Sequence, residues 1–138
     1  MSDAYRVELQ SVDGGPTALG WGGSATVVID RPVEAGGRGL GFNGGQLLNL
    51  AVAGCVSNDL FREAARRGIR LDRVRVTAES DYAGAPPVSS TIEYRVELSG
   101  EATPQELDEL LDHVDAIAEI PNSIRQGTRV RLVRGSHG

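Results

Sequence analysis

The sequence predicts a small α+β domain with the order β-β-α-β-β-α-β, and three observations predict it. Short runs alternate apolar and polar residues near the start, in the middle and near the end of the chain. One long run with helical spacing stands between a glycine-rich loop and Gly68. A second helical run begins behind the cap signal Thr103-Pro104-Gln105-Glu106. At 138 residues the chain fits one domain, 1–138, which buries enough surface to stand without disulfide staples.

The elements follow in order. Tyr5, Val7 and Leu9 alternate with Arg6, Glu8 and Gln10, as in a half-buried strand, and Asp13-Gly14-Gly15-Pro16 ends it. A second extended run covers Ala18 to Ile29, rich in β-branched residues from Thr26 onward, and stops at Asp30-Arg31-Pro32. These two pair as a hairpin. Six of the ten residues from Gly36 to Gly45 are glycine. Asn43 then caps a helix, with Gln46 as its capping-box partner. From Gln46 to Arg67 apolar residues cover most of the circumference in the first half and one face in the second, so the first half is expected to be buried all round. Arg62, Arg66 and Arg67 suit the helix C-terminus, and Gly68 suits a left-handed cap. Val74, Val76 and Ala78, then Ile92, Tyr94, Val96 and Leu98, make two antiparallel strands around Gly84-Ala85-Pro86-Pro87. The second helix runs from Thr103 and ends near Pro121. Val130 and Leu132, between arginines, form the last strand.

Composition excludes several functions. The formal charge of −5 opposes a phosphate backbone, so nucleic acid is not an expected partner. All fourteen basic residues are arginine, which removes Schiff-base chemistry and a phosphate-binding lysine together. The most apolar stretch, Leu47 to Val56, is about half the length a bilayer needs. No signal-like segment opens the chain, and a membrane is not an expected partner. A single cysteine forms no intrachain disulfide, and with His113 and His137 far apart it builds no zinc site. The expected compartment is the cytoplasm, with no metal and no cofactor.

Gly39-Leu40-Gly41-Phe42-Asn43-Gly44 satisfies G-x-G-x-x-G, yet no apolar strand leads into it and Asp59 lies on the same helix rather than at a second strand end. A flexible or tightly turned loop is the expected reading. Cys55 admits two. Buried cysteine is commonly inert filling, and this one sits about three turns into its helix, beyond the reach of the dipole, with Asp59 one turn on. Reactivity would require an arginine from another element to hold the thiolate. His113 reads as a solvated surface residue.

The segment from Gly36 to Cys55, GGRGLGFNGGQLLNLAVAGC, resembles the central motif of the OsmC/Ohr superfamily. In that family a GG-containing loop leads through N-P-E-[EQ]-L into a buried helix ending A-x-x-A-x-C. The likeness extends to Arg66-Arg67-Gly68-Ile69 and to the element order. It implies an OsmC-like fold, with antiparallel sheets around a long buried central helix, and an intertwined homodimer with thiol sites at its interface. It also implies reduction of organic hydroperoxides or hydrogen peroxide in bacteria under oxidative stress, with Cys55 as the peroxidatic cysteine.

Two departures from the family pattern bear on that implication. Ile120-Pro121-Asn122-Ser123 stands where the family has its resolving cysteine, so a sulfenic acid on Cys55 would be discharged by an external thiol reductant or a second subunit, or go on to irreversible oxidation. Gly45 stands at the glutamate of N-P-E, the usual carboxylate partner of the catalytic arginine. Arg31 and Arg38 are the candidates for that arginine, and either is equally an ordinary surface charge. Asn43, Gln46, Val52 and Ile120 are the expected substrate contacts. The expected function is a one-cysteine hydroperoxide reductase. The alternatives are a non-catalytic relative that binds a small apolar ligand in the interface cavity and a purely structural or partner-binding domain.

Overall fold

In the computed structural model, which describes residues 5–137, three antiparallel strands precede a long helix, a two-stranded hairpin and two further helices. The chain divides between Asn49 and Leu50 into two compact units.

The first unit carries β1 (Glu8–Ser11), β2 (Ala18–Gly22) and β3 (Ala25–Ile29), paired in that order. Leu9 faces Gly20 across β1 and β2, and Gly20 faces Val27 across β2 and β3. The run from Ala18 to Ile29 is therefore a hairpin and not one strand. Gly23, with φ 59°, opens its two-residue loop, where a tight hairpin demands positive φ. The strand expected over Tyr5 to Gln10 pairs only from Glu8, and it pairs with β2 as expected.

The glycine-rich loop packs tightly along β3. Phe42 N–H donates to Val28 O and Asp30 N–H donates to Phe42 O, both at 3.0 Å. A Cβ on Gly41 would stand 2.2 Å from Val28 O, so only glycine permits this approach. The tightly turned reading of G-x-G-x-x-G holds.

The long helix, α1 (Gly44–Arg66), starts at the expected reciprocal cap. Gln46 N–H donates to Asn43 Oδ1 at 2.9 Å, and Asn43 N–H donates to Gln46 Oε1 at 3.0 Å. It closes at Gly68, φ 68°, with Ile69 N–H on Ala64 O. Its first half is not buried all round, because Leu48 and Leu50 are exposed. The buried positions Val52, Val56, Asp59, Leu60, Glu63 and Ala64 form one stripe, narrower than the apolar circumference of the sequence.

The second unit adds β4 (Leu71–Ala83), β5 (Val88–Gly100), α2 (Pro104–Ile117) and α3 (Glu119–Arg125). The register sets Val74 against Leu98, Val76 against Val96 and Ala78 against Tyr94, so one face of the hairpin is apolar. That face meets a core of Val56, Leu60, Ala64, Ile69, Leu110, Val114 and Ala118. Thr103 and Glu106 form the expected capping box of α2. The second helix ends at Ile117 instead of near Pro121, because extended Ala118 interrupts it and Pro121 falls in the first turn of α3, where proline is tolerated. The strand expected at Val130 and Leu132 is absent: these side chains are 98% and 74% exposed, and the segment has no strand partner among the described residues. The observed order is thus β-β-β-α-β-β-α-α. No helix among the described residues is long and apolar enough to cross a membrane.

Candidate functional site

Cys55 lies on α1 in the second unit as a free thiol. Its side chain is half-buried and packs against the core that Val56 and Leu60 share with α2. One turn on, Asp59 is buried and paired with Arg62 at 3.0 Å, so its charge is matched within its own helix. Val52, one turn before, is 3% exposed and belongs to the buried stripe. Ile120 stands partly exposed on α3.

The two candidate arginines belong to the first unit, and their environments differ. The Arg38 guanidinium faces Asp13 end-on, with Nη1 donating to Oδ2 at 3.2 Å and Nη2 donating to Oδ1 at 3.0 Å. Nη1 also reaches Thr17 Oγ1 at 3.4 Å. Asp13 itself sits at φ 48° in the turn between β1 and β2, a left-handed conformation that aspartate tolerates better than most residues. Arg31 donates its backbone N–H to Asp30 at 2.8 Å. Arg31 lines a cavity of about 410 Å³ with Pro16, Pro32, Asn43, Gly44 and Gly45. Asn43 and Gln46 spend their side-chain acceptors on the α1 cap.

Sequence reasoning missed the residue that organises this loop. Asp30 is 2% exposed and accepts hydrogen bonds from Thr17 Oγ1 and from the backbone N–H groups of Arg31, Arg38 and Leu40. Burial pushes its carboxyl up, but these bonds outweigh it and hold the group below its ordinary value. The only signal was an aspartate at a strand end before Arg-Pro, which also reads as a simple strand stop. A second apolar concavity of about 450 Å³ crosses the sheet, walled by Val7, Leu9, Trp21, Val27, Ile29 and Leu47.

A further polar cluster lies in the second unit. His113 is not a solvated bystander, because its Nε2 is 2.9 Å from Glu63 Oε1, and the carboxylate also accepts from Arg62 Nε and Arg66 Nη1. No group of side chains among the described residues is arranged to hold a metal ion.

Comparison with known proteins agrees with the fold. The family model described as OsmC-like protein matches residues 36–133. An OsmC-like protein from Mycoplasma pneumoniae superposes with a TM-score of 0.77 at 16% identity, over 93% of this chain and 91% of that one. An organic hydroperoxide resistance protein OsmC from Legionella pneumophila gives a TM-score of 0.63 at 20% identity, over 88% and 90%. An organic hydroperoxide resistance protein from Elizabethkingia anophelis gives 0.59 at 17%, over 89% and 90%. No curated protein matches the sequence.

Proposed function

Because the chain belongs to the family of OsmC-like proteins, we propose that it is a thiol-dependent hydroperoxide reductase whose nucleophile is Cys55. The observation that carries this reading is Cys55 itself, the chain's one thiol, free and half-buried on α1 within the segment that matches the family. Two fold relatives are named for organic hydroperoxide resistance, which supports the substrate class.

The chemistry follows from one sulfur. The Cys55 thiolate attacks the distal oxygen of ROOH, the O–O bond breaks, and the leaving alkoxide takes a proton to become ROH. Cys55 is left as a sulfenic acid. An external thiol condenses with it, releasing water, and a second thiol then frees Cys55 and leaves as the disulfide. An arginine stabilises the charge on the leaving oxygen. Arg31 and Arg38 are the two candidates for that arginine.

The working form in this proposal is a homodimer in the cytoplasm, where a free thiol persists. Leu50 and Phe61 on α1, 50% and 48% exposed, and the strand-like Val130 and Leu132 are the surfaces a second copy would cover. The apolar concavity of about 450 Å³ favours one alternative, a binding protein for a small apolar ligand. Intact mass after stoichiometric cumene hydroperoxide separates the two. The reductase gains one oxygen or a thiol adduct on Cys55, whereas an unmodified mass from the folded protein excludes it.

A further inference from the structure

We infer that Arg62 governs the charge of the Cys55 sulfur through Asp59: by pairing with this carboxylate, one helical turn from the thiol, it lets a thiolate form beside an acidic side chain. The inference rests on the hydroperoxide reading above and deepens it by naming a positioning residue for the nucleophile. Between Gly44 and Asn58 no residue of α1 is charged, so Asp59 is the first acid of the helix and Arg62 its first base. Cys55, Asp59 and Arg62 stand at i, i+4 and i+7, on one stripe of the helix. Helical side chains lean toward the N-terminus, so Asp59 leans over the turn that carries Cys55, and Arg62 leans back over Asp59. The observed contact has that direction, with Arg62 Nη1 3.0 Å from Asp59 Oδ1.

Burial gives the pair its effect. The Asp59 side chain is buried while Arg62 reaches it from a half-exposed position, so water screens the carboxylate poorly and the guanidinium supplies the counter-charge. Cys55 is half-buried and packs on the core of the same unit. An unmatched anion one turn away opposes a second negative charge on the sulfur, and a matched one opposes it far less. Arg62 is anchored on its other side, where Nε donates to Glu63 Oε2 at 3.0 Å. The bond to Glu63, with the charge of Asp59 added against the cost of burial, holds the guanidinium above its ordinary value, so it stays charged across the range in which thiols ionise. Glu63 keeps Arg66 and His113 as partners when Arg62 is changed, so a substitution there leaves the rest of the cluster paired.

The test is the rate at which iodoacetamide alkylates the full chain as a function of pH, read by intact mass. The thiolate displaces iodide and forms the S–C bond, and every adduct reports Cys55 because it is the one cysteine. Arg62→Gln is expected to move the profile up by about one pH unit, an approximately tenfold slower reaction at pH 7. Arg62→Lys restores most of the rate, and Asp59→Asn leaves the profile at or below its wild-type position. In an Asp59→Asn background Arg62→Gln moves the profile only slightly, because the arginine acts through the carboxylate. A merely structural ion pair would change the melting temperature and leave the profile in place. An unchanged profile in Arg62→Gln, or the same shift with and without Asp59, would overturn the inference. A protein that shows these shifts but consumes no cumene hydroperoxide leaves it standing and removes the hydroperoxide reading, and a folded wild type that resists alkylation at every pH removes both.

Discussion

Glu63 Oε1 on α1 lies 2.9 Å from His113 Nε2 on α2, and this contact ties the cysteine-bearing helix to its neighbour through a buried carboxylate. The His113 bond, then the Arg62 bond, hold Glu63 down at about 2 against burial, with Arg66 adding to the same effect. A carboxyl held below its ordinary 4.5 contributes stability that is complete above pH 4.5 and is lost as pH falls toward about 2. Acid unfolding followed by circular dichroism should therefore steepen across that window. Glu63→Gln should be less stable at neutral pH and show a flatter acid limb. An identical limb in the variant would contradict the linkage.

The close approach of the glycine-rich loop to β3 predicts a large difference between two glycines. Gly41→Ala places a methyl 2.2 Å from Val28 O and should cost about 1–3 kcal/mol in urea denaturation. Gly44→Ala, with nothing within 4 Å of its Cβ at the first position of α1, should stay within about 0.5 kcal/mol of the wild type. Equal effects would mean that the loop does not sit against the strand.

Tyr94 on β5 donates its hydroxyl to Asp115 on α2, whose carboxylate also accepts from Arg125 Nη2 of α3 at 2.7 Å. Burial first, and Asp115 second, push the Tyr94 phenol well above its ordinary value of 10. Spectrophotometric titration should show one of the three tyrosines ionising late, and Tyr94→Phe should remove that late phase. The same substitution should cost about 1 kcal/mol, the net contribution of one hydrogen bond.

The parts of this fold written in local chemistry were legible in the sequence. Asn43 with Gln46, and Thr103 with Glu106, announce helix starts because a cap is satisfied within three residues of itself. The apolar alternation of β4 and β5 was legible because the two strands follow one another across a single turn, so each supplies the other's partner. What escaped depended on distant partners. Val130 and Leu132 alternate like a strand but find no edge to join, and a strand exists only through its pairing. Dense β-branching after Thr26 hid the turn at Gly23, where a single glycine decided the topology. In the candidate site, Cys55 stood out by its motif, whereas Asp30 and Asp13 did not. Their roles come from Thr17 and Arg38, which the chain brings to them from other elements.

If the Cys55 thiol carries the chemistry, steady-state peroxide consumption depends on that one sulfur. Wild-type protein supplied with cumene hydroperoxide and excess dithiothreitol should consume many equivalents of peroxide per chain, and Cys55→Ser should consume none above the uncatalysed rate. Equal consumption by the two proteins, or none by a folded wild type, would rule out Cys55 as the nucleophile of a hydroperoxide reductase.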